Sequence, residues 1–410
     1  MQMIAILIIA AILLSGMLGV LLLYRQTAAV FANRERVPDG FAGEISLEQH
    51  KRAAEYALAR ARLGVAKTVF DTGLAILWLM VFLGPIYEMA AQFTAPGITR
   101  SVAVAAGFGL AERLLYLPFS VYSTFWLEAR FGFNRSTPAM FALDRIKGLA
   151  LMLALGLPLL CGLFWLPRLM PAYWWLAAWA AFMALALVMS VIFPAFIAPI
   201  FNKFTPMPDG PLRTRVEALL AKCGFEPKGL YVMDASRRSA HGNAYFTGFG
   251  KAKRIVFFDT LLQKHTQDEI LSILAHELGH YKLGHIGQRI AESAVFAFLG
   301  FAILGWAFAS GGLTGAFGLP DDPGLTLIVV SAAIGPFLHL LSPLTSYLSR
   351  RAEYQADNFA KAMEGPAPMI SALTKLARDN LSTLTPDELY ASFYYSHPPV
   401  PARIARLKEA

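Results

Sequence analysis

Seven stretches of this chain are apolar over lengths that cross a bilayer, and no other feature narrows the available folds as much. They are residues 3–24, 68–91, 101–127, 148–166, 173–197, 290–310 and 325–348. A helix needs about 20 residues to cross the hydrocarbon core, and it satisfies every backbone N–H and C=O within itself. Composition agrees: 56% of the 410 residues are apolar and 16% are charged, against about 25% charged in soluble domains. The expected class is a mainly α, polytopic membrane protein. The first stretch has no positive charge before it (Met1-Gln2-Met3) and exceeds the roughly 7–15 apolar residues of a signal peptide. It reads as a retained span.

Lys and Arg set the sidedness. With seven crossings, segments 25–67, 128–147, 198–289 and 349–410 share one face. They hold all 36 Lys and Arg except Arg100, Arg113 and Arg168. The positive-inside rule makes that face cytoplasmic and puts the N-terminus outside. The net charge of +8 therefore reflects membrane orientation and predicts no nucleic-acid partner. Cys161 lies in a span and Cys223 in a polar segment, which excludes a disulfide framework and a Cys-type metal site.

Within the third polar segment stands His276-Glu277-Leu278-Gly279-His280. On a helix, positions i and i+4 share a face, so both imidazoles can reach one metal ion. Glu277, one step round, is placed to take a proton from the attacking water. Catalytic zinc takes three protein ligands and keeps one position open; this motif supplies two ligands and a base. Thr266-Gln267-Asp268-Glu269 reads as a capping box that starts the helix, and Leu271, Leu274 and Leu278 give it an apolar stripe.

The third ligand has three candidates. His285 lies five residues after His280, about 500° round a continuing helix, which turns it away from the metal and onto the surface. Glu353, in Glu353-Tyr354-Gln355-Ala356-Asp357, shares a helix face with Asp357. Two carboxylates so placed repel on a solvated helix, but they suit a ligand and a partner that orients a ligating imidazole. His397 precedes two prolines. Glu353 is the expected ligand and Asp357 its supporting neighbour, with one zinc per chain.

The expected organisation is 1–197 with five spans, 198–289 as a cytoplasmic catalytic segment, 290–348 with two more spans, and 349–410 as a C-terminal catalytic segment. Segment 198–289 reads as α+β: a helix at 212–222, strands at 230–233, 243–246 and Arg254–Phe258, and the metal helix. Gly-rich turns such as Gly248-Phe249-Gly250 separate the strands. The two polar segments return to one face and so build one zincin-like catalytic domain.

Together these stretches resemble the type I CAAX prenyl endopeptidases, integral-membrane zinc metalloproteases that trim prenylated proteins. Besides the metal helix and the Glu353 segment, the likeness rests on Asn243-Ala244-Tyr245-Phe246 and on Leu117-Pro118-Phe119-Ser120 through Phe131-Gly132-Phe133-Asn134. It ends in His397-Pro398-Pro399 followed by Arg403. The resemblance implies a helical barrel around a water-filled chamber, with the metal site on its inner wall. Asp71 and Glu112 are the expected chamber-facing charges, since charge within a span must face protein or water. Glu88 and Glu128 fit a headgroup position equally well.

The chemistry expected is peptide hydrolysis near the C-terminus of a membrane-associated, prenylated peptide or protein. His276, His280 and Glu353 would hold zinc, and Glu277 would act as the base. His397 would donate to the oxyanion, or else serve as a rigid turn residue. Asn243 would hold an extended peptide, and Arg403 would pair with Asp357 or Glu353 or remain a surface cation. Two other functions fit less well. A quality-control membrane protease would have fewer spans, and a transporter or receptor with structural zinc needs no base beside its ligands. The partners expected are the peptide substrate and the lipid bilayer. A compact length and an end in Arg406-Leu407-Lys408-Glu409-Ala410, unlike a reticulum retrieval tail, favour a prokaryotic plasma membrane.

Overall fold

A computed structural model describes residues 2–225, 229–247 and 254–409; Gly248-Phe249-Gly250 lies outside the described residues. Seven described helices are long and apolar enough to cross a membrane. They are Gln2–Asn33, Leu47–Phe93, Ile98–Glu128, Pro138–Leu169, Trp174–Phe201, His285–Ser310 and Pro323–Glu364. Each overlaps one apolar stretch and most run beyond it. The seventh departs from expectation where the site lies: no break follows residue 348, and one helix of 42 residues carries Glu353 and Asp357 near its end. Ser349-Arg350-Arg351-Ala352 contains neither Gly nor Pro to stop a helix, whereas Gly365-Pro366 does stop it. The seventh span and the Glu353 segment therefore belong to one continuous helix.

Small residues let the spans approach closely, as lipid-embedded helices require. A Cβ on Gly16 would lie 2.2 Å from Thr72 Oγ1, and one on Gly324 would lie 2.4 Å from the Ser101 carbonyl oxygen. Ser101 also donates from its hydroxyl to Asp322 at 2.8 Å, while Asp322 caps the seventh helix by accepting from the Gly324 and Leu325 amides. Three spans contain π-helical turns, at Trp78–Phe82, Ser123–Glu128 and Phe193–Ile197. Such turns carry one extra residue per turn and re-aim side chains.

The charges within spans find polar partners. Tyr116 donates to Asp71 at 2.5 Å, Trp78 Nε1 donates to Glu112, and both carboxylates line a cavity of about 180 Å³. Glu128 accepts from the Tyr56 hydroxyl at 2.7 Å and lines a cavity of about 830 Å³. It is held by protein partners. Glu88 is exposed.

Segment 198–289 folds as β1 (Phe204–Pro206), β2 (Gly229–Met233), β3 (Ala244–Thr247) and β4 (Arg254–Phe258), in the order β1-β2-β4-β3. β2 and β4 run parallel; the other pairs are antiparallel. β1 was not foreseen, being three residues long and ending in a proline, which suits only an edge. β3 forms the opposite edge. Phe257, Leu261, Ile270, Leu274 and Leu278 form the buried core between the sheet and the metal helix.

Candidate metal centre

The metal helix spans Gln267–Lys282 and begins with a complete capping box. The Thr266 hydroxyl accepts from the Glu269 amide at 3.4 Å, and Glu269 Oε2 accepts from the Thr266 amide at 2.8 Å. Such a cap is worth about 1 kcal/mol. Glu269 also accepts from Ser371 at 2.6 Å and Lys375 at 2.8 Å, which anchors the helix start to the helix Pro366–Asp379. Gly279, between the two histidines, is where the metal helix meets the seventh rod. A Cβ there would lie 3.0 Å from Ala356 Cα and 3.3 Å from the Ala356 carbonyl oxygen. A side chain there would have to push the two backbones apart by a few tenths of an ångström, so glycine suits the close crossing that brings Glu353 to the imidazoles.

One ligand atom each from His276, His280 and Glu353 lies within 4.8 Å of the others. Glu353 Oε2 stands 3.3 Å from His276 Nε2, and Oε1 stands 3.2 Å from His280 Nε2. Glu353 is 1% exposed and its Oε2 has no hydrogen-bond partner. A buried polar atom left unpaired is costly and points to a missing partner. Two imidazole nitrogens and a carboxylate oxygen are the donor set of a catalytic zinc site, so these residues fit a metal ion. On its other nitrogen, His276 Nδ1 faces Asp357 Oδ1 at 2.9 Å. Arg403 donates twice to Asp357, at 2.8 Å and 2.6 Å, and its remaining nitrogen lies 3.8 Å from Glu353. It is buried and not a free surface cation. Burial opposes a charged His276, but Asp357 and Glu353 outweigh it and hold the pKa up to about 9.

Glu277 is partly buried and makes no hydrogen bond among the described residues. Burial pushes its carboxyl up, against the pull of His276 and His280. His397 Nε2 lies 3.3 Å from Glu353 Oε1 with 60% of its side chain accessible, and it lines a cavity of about 550 Å³ with Tyr56 and Arg60. Asn243 is exposed just before β3, where its Oδ1 accepts from the Ala244 amide at 2.8 Å and its carbonyl accepts from the Phe258 amide at 3.0 Å. It lines the 830 Å³ cavity with Glu128 and His241. Tyr56, Arg60, Asn380 and Ser382 border both cavities, which therefore flank one interior wall.

Residues 26–203 match the family described as CAAX prenyl protease N-terminal, five membrane helices, and residues 206–410 match peptidase family M48. The chain belongs to peptidase family M48. As a member it is an integral-membrane metalloendopeptidase. A CAAX prenyl protease 1 homolog of Oryza sativa is 39% identical over 385 residues, covering 91% of this chain and 90% of the relative. CAAX prenyl protease 1 of Saccharomyces cerevisiae is 33% identical over 417 residues, covering 94% and 91%. The crystal structure of S. mikatae Ste24p superposes with a TM-score of 0.93 at 30% identity, covering 98% of each chain.

One sequence expectation for this M48 peptidase is corrected. His285 does not continue the metal helix and does not reach the surface. That helix ends at Lys282, Gly284 adopts a left-handed φ of 77°, and His285 opens the sixth span. The turn folds His285 back to 3% exposure, with Nδ1 3.0 Å from His280 Nδ1. The glycine one residue earlier is a helix-stop signal that limits any angular extrapolation.

His241 also escaped sequence reasoning. Its ring stacks on Phe133 at 4.1 Å, its Nδ1 meets Asn380 Oδ1 at 2.9 Å, and Glu128 beside it raises its pKa. The loop after the third span thus buttresses the approach to Asn243. Only a contact between residues more than a hundred positions apart could reveal this.

Proposed function

We propose that this M48 metalloendopeptidase is zinc-dependent and cleaves peptide bonds near the C-terminus of prenylated, membrane-associated substrates. The observation that carries the reading is the convergence of His276, His280 and Glu353 beside a Glu277 with no other partner. Relatives named CAAX prenyl proteases, matched over nearly the whole chain, support the substrate class.

His276, His280 and Glu353 would hold the zinc, which would supply Lewis acidity toward the scissile carbonyl and water. Glu277 takes the proton of the attacking water and delivers it to the leaving amine. Asp357, fixed by Arg403, accepts a hydrogen bond from the Nδ1–H of His276 and holds that ring with Nε2 toward Glu353. His397, accessible and beside Glu353, donates to the developing oxyanion. The outer edge of β3 pairs with an extended substrate backbone, and the Asn243 amide meets a substrate carbonyl.

Main-chain pairing along β3 tolerates many side chains, so selection falls to the lipid. A prenyl chain contributes about 0.8 kcal/mol per buried CH₂. Prenylated peptides should therefore have a higher kcat/KM than bare ones, with bare peptides still cleaved. Asn243→Ala should slow both by a similar factor. Equal turnover of the two peptides would favour a quality-control role, and an Asn243→Ala defect confined to the lipidated peptide would remove the strand-pairing reading.

The same proposal puts the N-terminus outside and the metal centre on the cytoplasmic side, because Lys and Arg crowd the connections of one face. A reporter near Asp321 should be reached from outside, and one near Pro366 only from the cytoplasm; the reverse pattern overturns the sidedness. The relatives named above are eukaryotic and do not support a prokaryotic plasma membrane, so the proposal concerns sidedness.

A further inference from the structure

The two ligating imidazoles are oriented by different means. Nδ1 of His276 lies 2.9 Å from Asp357 Oδ1, and an ionised carboxylate only accepts, so this contact favours the proton on Nδ1 and makes Nε2 the atom offered to a metal. Among the described residues no carboxylate faces Nδ1 of His280. Its Nδ1 meets Nδ1 of His285 at 3.0 Å, and Nε2 of His285 meets Gln355 Oε1 at 2.9 Å.

A neutral imidazole has one N–H and one lone pair, so two rings and an amide in series allow two self-consistent arrangements. In the first, Gln355 presents its carbonyl oxygen, His285 donates from Nε2 and accepts at Nδ1, and His280 donates from Nδ1. Nε2 of His280 then keeps its lone pair. In the second, Gln355 presents its NH₂ group and every donor reverses. The proton then sits on Nε2 of His280, the atom 3.2 Å from both His276 Nε2 and Glu353 Oε1. Only the first arrangement can ligate, and it matches the amide orientation in the structure.

We propose that His285 and Gln355 are positioning residues that hold His280 in its metal-ligating tautomer. The proposal rests on the reading that His276, His280 and Glu353 are the ligands. Both residues are fixed relative to that set. Gln355 follows Glu353 by two positions on the same rod, and the left-handed Gly284 turns His285 under the end of the metal helix. Gln355 is exposed apart from this contact, so substitutions there leave the packing intact.

The test is zinc affinity of the full-length, detergent-solubilised protein, read by competition with a chelator of known affinity, alongside peptide hydrolysis. Gln355→Glu offers only an acceptor and should hold zinc at least as tightly as the unmodified protein. Gln355→Lys offers only donors, enforces the reversed series, and should weaken zinc by about 10- to 100-fold, the usual cost of losing a ligand's hydrogen-bond partner. Gln355→Met should fall between them. A lysine also adds charge near the metal, so each substitution is repeated in a His285→Phe background, where the series is cut. There the difference between Glu and Lys should shrink to the residual charge effect. An equal Glu-to-Lys difference in both backgrounds, or none in either, overturns the proposal. Zinc retained by Glu353→Ala would overturn the ligand assignment instead.

Discussion

Glu277→Gln should abolish nearly all peptide hydrolysis while the protein still holds about one zinc per chain. General-base catalysis is worth about 10²- to 10⁴-fold, and the substitution removes the base while keeping its shape. It should leave the metal because Glu277 follows His276 by one position, about 100° round the helix, and makes no contact with Glu353, Asp357 or Arg403 close enough to hydrogen-bond. The loss should appear in kcat more than in KM, since the proton moves in the transition state and not in the bound substrate. Metal content and single-turnover hydrolysis on the same preparation check this. Zinc lost together with activity would make Glu277 a ligand or a prop, and full activity would mean the base lies elsewhere.

The spans were legible because hydropathy summed over about 20 residues is a strong signal that needs no tertiary knowledge. The metal helix was legible for a different reason: its capping box, apolar stripe and paired histidines agree on one periodicity. Glu353 and Asp357 stood out because an acidic pair four apart is unfavourable on an ordinary exposed helix. The structure brings all of these together with Arg403. What stayed hidden depended on how segments meet. His285 looked remote because angular counting assumes that the helix continues, and Gly284 ends it. The join between the seventh span and the Glu353 helix was invisible because hydropathy falls at Arg350 while helicity does not. The three π turns have no clear composition of their own, and they shift the side chains that follow them.

The glycine at 279 shows how sequence and site connect. In the motif it looks like a spacer, and in a helix interior it costs roughly 1 kcal/mol relative to alanine. The fold accepts that cost because the metal helix and the seventh rod cross with Ala356 against Gly279. That crossing sets the distance between two histidines on one element and a glutamate 73 positions beyond His280 on another. On the proposed ligand set, metal affinity would therefore depend on helix packing as well as on the three side chains.

Glu353→Ala should lose both metal and activity, and this is the larger of the two effects because it removes the site and not one step within it. With Glu353 gone, two imidazoles remain, fewer than the three ligands of a catalytic zinc centre. A ligand that binds only the folded state stabilises it by about 4 kcal/mol at a thousandfold excess over Kd. A chelator should thus lower the Tm of the unmodified protein and leave that of Glu353→Ala unchanged. Binding should also depend on pH with a definite sign. Without metal, Asp357 and Glu353 overcome burial and hold the His276 pKa at about 9. Below that value a metal must displace one proton from Nε2 of His276, so apparent affinity should fall roughly tenfold per pH unit on acidification. Above it, this group adds nothing more. Calorimetry in buffers of different ionisation enthalpy would count the proton released near pH 7. If no proton leaves, or if Glu353→Ala still binds zinc and responds to the chelator, the ligand set has to be redrawn.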